Sequence, residues 1–274
     1  MRLPAVFGAL LLATAVAVHP AGAANAPAPG ITSGQEALLA HKALYTLTLD
    51  SAKSRDVIGA TGTMGYEVTD ACDGWAVRQR LNMTITNADG QNIQMTSDYA
   101  TWEAKNGLTF RYHMRQTTDT AVTSQTDGEA TLQKVGGPGE ARYTEPRDSV
   151  AKLPAGTVFP MAHTAAIIAA ARDKKHFLSL PLFDGTDENG AEDSFIVLLD
   201  WKPPMQTNWP ILSVLPSTRI HISFFNHGPD SVTPSYEAIM RYWENGVAND
   251  MKMNFGDFVM NAKMKDFKPQ PHRC

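Results

Sequence analysis

The sequence predicts an all-β domain with two helices, its strands running as an antiparallel meander. Three observations carry this. Apolar and polar residues alternate through segment after segment, the period of a strand with one buried face. Turn-forming groups punctuate these segments: Asn87-Ala88-Asp89-Gly90, Asn106-Gly107 and Asn245-Gly246. One long stretch, Met161 to Phe177, has the composition of a strong helix.

Near the start, Ser33-Gly34-Gln35-Glu36 has the form of a capping box, so a short helix is expected there, carrying Ala37, Leu38 and Leu39. His41 to Asp50 alternates as a strand. From Trp75 to Thr86 the alternation is clearest: Trp75, Val77, Leu81, Met83 and Ile85 share one face, and Arg78, Arg80, Asn82, Thr84 and Thr86 the other. Ile93, Met95 and Tyr99 extend the apolar face after the first hairpin turn. Leu108, Phe110, Tyr112 and Met114 then alternate with Thr109, Arg111, His113 and Arg115. Shorter strands are expected at Ala130 to Val135 and Ala141 to Thr144.

The Ala-rich helix starts at Pro160, since proline suits the first helical position. Arg172, Lys174, Lys175 and His176 crowd its far end, where they complement the helix dipole. Asp184 to Asp193 is an acidic turn. Phe195 to Trp201, Thr218 to Phe225 and Ser235 to Trp243 return to strand patterns, and Met251 to Phe255 and Phe258 to Met264 complete the sheet. No linker divides the chain, so residues 33–274 are expected to form one domain.

Composition narrows the function. Hydrophobic residues are 43% and charged residues 19% of 274, the balance of a globular chain rather than a disordered one. A net charge of -4 argues against general nucleic-acid binding. Met1-Arg2, an apolar run from Ala5 to Val18 and the small residues Ala21-Gly22-Ala23 have the layout of a secretory leader, residues 1–23. The run is too short and Ala-rich for a membrane span, and no further run of spanning length occurs. The mature chain is therefore expected to be exported with no transmembrane segment, beginning with a flexible stretch at residues 24–32.

An exported chain meets an oxidising compartment. Cys72 and Cys274 are the two cysteines. As a pair with no leftover thiol they read as one disulfide, which would clamp the C-terminus by closing about 200 residues, worth at most roughly 5 kcal/mol. Two free thiols are the alternative, but no C-x-x-C pair and no adjacent histidine argues for redox activity.

The chemical motifs mostly fail. GxSxG, HExxH, Walker A and GxGxxG are absent. The acidic turn lacks the spacing of a calcium loop. His41, His113, His163, His176, His221, His227 and His272 show no i+2, i+3 or i+4 pairing, so no metal site and no cofactor is expected. Ser149-Val150-Ala151-Lys152 matches the S-x-x-K of serine cell-wall hydrolases and transpeptidases. That reading needs Ser149 and Lys152 on a buried helix, whereas Pro146 and Leu153-Pro154 bracket the motif and no partner motif lies downstream. Arg111, His113 and Arg115 form a basic stripe, either a solvated face or a contact for an anionic partner. Met83, Met95, Met114, Met251 and Met253 on apolar faces would fill a core or line an adaptable cavity for an acyl chain.

Several longer segments, in their order, resemble a known family. Cys72-Asp73-Gly74-Trp75 enters the clearest strand. Leu153-Pro154-Ala155-Gly156-Thr157-Val158-Phe159-Pro160 runs into Ala162-His163-Thr164, the Ala-rich helix and Pro181-Leu182-Phe183-Asp184-Gly185. Tyr242-Trp243-Glu244-Asn245-Gly246-Val247 precedes Phe255-Gly256-Asp257-Phe258-Val259, and Cys274 ends the sequence. These segments, spread over essentially the whole mature chain, resemble the EipB family of periplasmic cell-envelope integrity proteins, found mainly in alphaproteobacteria. Trp243 departs from the smaller residue expected beside Tyr242.

The resemblance implies a many-stranded antiparallel β-spiral, an open, curved, barrel-like sheet around the helix, with Cys72 and Cys274 linked. It also implies an architecture similar to periplasmic lipoprotein carriers, and no catalytic residue. The implied role is envelope maintenance without enzymatic chemistry, with a lipid, a lipoprotein or a periplasmic tetratricopeptide-repeat protein as partner.

Overall fold

The computed structural model describes residues 35–227 and 231–271. Within them, fourteen strands form a single sheet that is antiparallel throughout. In chain order they are β1 (His41–Ala52), β2 (Val57–Asp70), β3 (Gly74–Asn87), β4 (Asn92–Ala104), β5 (Thr109–Thr118), β6 (Ala121–Leu132), β7 (Gly139–Glu145) and β8 (Ser149–Leu153). After helix α1 (Pro160–Arg172) come β9 (Phe177–Leu182) and β10 (Glu192–Leu198). The one-turn helix α2 (Pro210–Ser213) precedes β11 (Ser217–Asn226), β12 (Tyr236–Trp243), β13 (Ala248–Asn254) and β14 (Phe258–Pro269).

The spatial order is β8-β7-β6-β5-β4-β3-β2-β1-β14-β13-β12-β11-β10-β9. Apart from β8 and β9, consecutive strands pair with each other, and β1 pairs with β14, so the first and last strands lie together in the middle of the sheet. The meander is interrupted only between β8 and β9, where α1 is inserted. There the connecting segment partly bridges the gap: Val158 forms a parallel bridge to Leu182, with its N–H donating to the Pro181 carbonyl at 2.9 Å. The result is the antiparallel meander that the alternation predicted, coiled into the curved open sheet that the family resemblance implied.

The strands form where alternation allowed one face to leave water. In β1, His41, Ala43, Tyr45 and Leu47 are buried while Lys42, Leu44, Thr46 and Thr48 are exposed. β2 has no counterpart among the strands expected from the sequence. Its Gly59, Gly62 and Gly65 dilute the apolar signal, yet Val57, Ala60, Met64 and Val68 are buried. Gly62 is required by close approach, since a Cβ there would lie 2.4 Å from the Asn82 carbonyl oxygen of β3.

Two expectations at the helices need correction. The Ser33 capping box has its first half outside the described residues, and the expected helix is a single 3-10 turn, Gln35–Ala37. The Ala-rich helix ends at Arg172 rather than Phe177. Lys174 adopts a left-handed conformation, φ 57°. Its N–H donates to the Ala171 carbonyl and that of Lys175 to Ala170, a Schellman closure. Phe177 then opens β9.

Most of helix α1 is buried, Ala169 and Arg172 being exposed, and its alanines let it fit between the arms of the sheet. Met161, Ala165 and Ile168 pack on Val68, Trp75 and Val77 of one arm of the sheet. Ile167, Ala170 and Ala171 pack on Ile196, Ile220, Ile222 and Ala238 of the other. The largest apolar cluster lies where β1–β3 meet β13 and β14, covered by Leu212 of α2. Trp243 is buried in it.

Candidate functional site

Small side chains let α1 lie close to the inner walls without filling the interior. The space that remains is a cavity of about 480 Å³ between α1, the β1–β4 wall and the β11–β13 wall. That volume is within the usual range for small-molecule sites. Met64, Leu81, Met240, Met251, Met253 and Phe255 form much of its apolar lining. Of the five methionines expected at such a cavity, Met251 and Met253 line it. Met83 is buried in the neighbouring cluster, and Met95 packs against that same cluster. Met114 is buried on β5 and contributes nothing to the lining.

Five phenols, Tyr45, Tyr66, Tyr99, Tyr236 and Tyr242, are part of the polar lining. Tyr45 donates to the Ala248 carbonyl at 2.7 Å and Tyr99 to the Asp184 carbonyl at 2.6 Å. The first links β1 to β13, one strand beyond its neighbour β14, and the second links β4 to the turn after β9. Burial raises the pKa of Tyr45, Tyr66, Tyr99, Tyr236 and Tyr242, so all five remain neutral at physiological pH. Asp184, Thr186 and Glu192 reach the same wall from the acidic turn.

Two buried ionisable groups hold α1 in place. Its N-cap residue, Phe159, has no side-chain acceptor to offer. Glu103 of β4 serves instead, accepting the Met161 N–H at 2.7 Å, the Ala162 N–H at 2.9 Å and the Gln35 amide at 3.2 Å. Burial pushes its carboxyl up to about 7, against the downward pull of these three donors. His163, one turn further on, places Nε2 2.8 Å from Ser194 Oγ, and that hydroxyl donates to the Leu180 carbonyl at 2.6 Å. Burial lowers His163 to about 4, so the ring is neutral.

The His163–Ser194 contact has the residue types of a nucleophile and its base. The serine proton is committed to the Leu180 carbonyl, and Ser194 is fully buried, away from the cavity lining. The arrangement locks helix to sheet. No spacing in the sequence pointed to it, because the partners are 31 residues apart on different elements.

Other residues singled out from the sequence lie on the strands, away from this interior. Ser149 and Lys152 sit on β8, opposite Tyr143 and Glu140. On a strand, residues three apart face opposite sides, so Lys152 cannot act on Ser149. This removes the helical geometry that the hydrolase reading needed. Arg111 pairs with Glu129 at 2.7 Å and lies over the Trp102 ring, while His113 meets Asp127 at 2.8 Å. The basic stripe is thus largely neutralised by neighbouring strands. An outer concavity of about 380 Å³ over Gly65 likewise mixes Lys42, Arg78 and Arg80 with Glu67 and Asp98.

Among the described residues, no group of three or more His, Cys, Asp or Glu is placed to hold a metal ion. No helix among them is long and apolar enough to cross a membrane. Cys72 lies in the turn after β2, at φ 72°, with its N–H donating to Asp70 Oδ1 at 2.9 Å. Cys274 lies outside the described residues.

An open antiparallel sheet coiled around an internal helix, with a cavity beside that helix, defines a barrel-like β-spiral protein. The EipB-like family model matches residues 32–271, and the chain belongs to that family. It is 28% identical over 237 residues to the cell envelope integrity protein EipB of Brucella abortus, covering 83% of this chain and 82% of that protein. The fold matches the crystal structure of a beta-barrel-like protein from Brucella abortus with a TM-score of 0.77. That match has 24% identity and covers 85% of this chain and 99% of the other.

Proposed function

We propose that this protein is a non-enzymatic periplasmic component of cell-envelope maintenance that holds a lipid, or the acyl part of a lipoprotein, inside its spiral. The single observation that carries the reading is the methionine- and aromatic-lined cavity of about 480 Å³ beside α1. Unbranched thioether side chains adapt to chains of different shape, and phenols tethered to carbonyls keep the walls in place. The leader-like residues 1–23 support the compartment, and the name of the Brucella relative supports the envelope role.

A disulfide between Cys72 and Cys274 belongs to this reading. Gln270 donates to the Ala40 carbonyl at 2.8 Å, and β1 separates β14 from the end of β2. The last described residues therefore run out at the same end of the sheet as Cys72. A periplasmic tetratricopeptide-repeat protein is the partner class that the family resemblance implies, and it would act on the outer surface.

The test is native mass spectrometry with lipid extraction on protein purified gently from the periplasm. A stoichiometric acyl-chain mass is expected, and Met253→Trp, which narrows the cavity, should reduce it several-fold. A clean apo mass, with no saturable binding of added amphiphile, would overturn the carrier role.

A further inference from the structure

The acidic turn between β9 and β10 and the strand it enters supply the cavity's only carboxylates among the described residues. Asp184 comes just after the end of β9, and Glu192 opens β10 directly opposite Leu182. Thr186 donates its N–H and its hydroxyl to Asp184 Oδ1, at 2.9 and 2.7 Å. Ser235 donates to Glu192 Oε1 at 2.8 Å. These are neutral donors. Neither lysine nor arginine lines the cavity among the described residues, and its two histidines, His41 and His163, have pKa values lowered by burial. Burial raises the pKa of both acids, and repulsion between Asp184, Asp187 and Glu192 raises it further. An entering cation would relieve that repulsion, whereas an entering carboxylate or phosphate would add to it. The remaining polar lining, Gln79, Thr101, Thr164, Asn245 and the phenols, carries no charge.

We propose that the cavity takes an amphiphile with an apolar body and a cationic, amine-bearing end, seated at Asp184 and Glu192, and that it discriminates against free fatty acids. This rests on the cavity being a binding site. The apolar body would lie along Met64, Met240, Met251 and Met253, and the cation at the acidic end. The ligand class follows from charge complementarity, as it does for other sites where one sign of charge faces a low-dielectric space.

The test is titration calorimetry on the intact mature protein with three probes of equal chain length, decyltrimethylammonium, decanoate and decanol, each below its micelle-forming concentration. The cation is expected to bind at least about tenfold tighter than decanoate. In the Asp184→Asn/Glu192→Gln double variant, whose amides keep the Thr186 and Ser235 bonds, the gap between cation and anion should close. Glu192→Gln alone should narrow it, which guards against a folding defect in the double variant. Equal or tighter binding of decanoate overturns the proposal. So does a cation preference that survives in the double variant, because it would then come from the acidic surface as a whole. If decanol binds and only the charge preference is missing, the head-group assignment fails while the carrier reading stands. If none of the three binds saturably, both fail.

Discussion

Glu103 and His163 anchor the same helix, and their protons pull stability in opposite directions. The carboxyl of Glu103 is raised by burial from an ordinary 4.5 to about 7 in the folded chain. The folded state then holds a proton that the unfolded state has lost, so this group removes stability as pH rises from 4.5 to 7. His163 is lowered from 6.5 to about 4. Its contribution is fully present above 6.5 and is lost as pH falls towards 4, and His41, also lowered by burial, adds in the same sense. Each of the two main shifts corresponds to about 3 kcal/mol at its extreme, and over the shared window they offset. His163→Phe should therefore give a protein whose stability falls as pH rises through 4.5–7. Glu103→Gln should give one whose stability falls as pH drops from 6.5 to 4. Urea unfolding at pH 4.5 and 7 reads both slopes. If both variants keep the native slope, the burial argument at these residues is wrong.

At the scale of elements, α1 is the clearest case of a helix built for its surroundings. Its buried alanines, Ala162, Ala165, Ala170 and Ala171, fit where the sheet curves around it. Ala165→Leu would force extra methylenes between the helix and Trp75, and it should cost about 1–3 kcal/mol in denaturant unfolding. An unchanged midpoint would mean that the cavity absorbs the added volume. The strands were legible wherever apolar residues fell on every second position, as in β1, β3 and β5. β2 escaped because Gly59, Gly62 and Gly65 thin out its apolar alternation, and of these Gly62 is required by the close approach of β3. Composition alone extends the helix into the first residue of β9, because the stop signal, left-handed Lys174, carries no glycine to announce it. The Glu103 cap was equally invisible, since it reaches α1 from 58 residues away.

At the scale of the whole molecule, the first and last strands of the spiral meet at its centre. The β1–β14 pairing is thus the seam joining its two arms, and β14 ends beside the start of β1. A bridge from Cys72 to Cys274 would tie down that end. Cys72→Ser should lower the melting temperature clearly, with a ceiling of roughly 5 kcal/mol from loop entropy. Thiol titration of the unfolded, unreduced protein should detect no free cysteine. If oxidised and reduced protein melt together, the bridge does not stabilise the fold.

The sequence by itself determined the meander, the one strong helix, the leader-like first residues and the cysteine pair. All of these are patterns of period, turn residues and composition, which need no knowledge of what lies across the fold. Only the tertiary structure decided that the sheet stays open at β8 and β9. It also decided that Glu103 caps α1, that Ser149 and Lys152 point apart, and that Met64, Met251, Asp184 and Glu192 face one cavity. Those last four belong to β2, β13, the acidic turn and β10, and what brings them together is sheet register and curvature. Register depends on how every strand pairs with its neighbours at once, so no window of the sequence contains it.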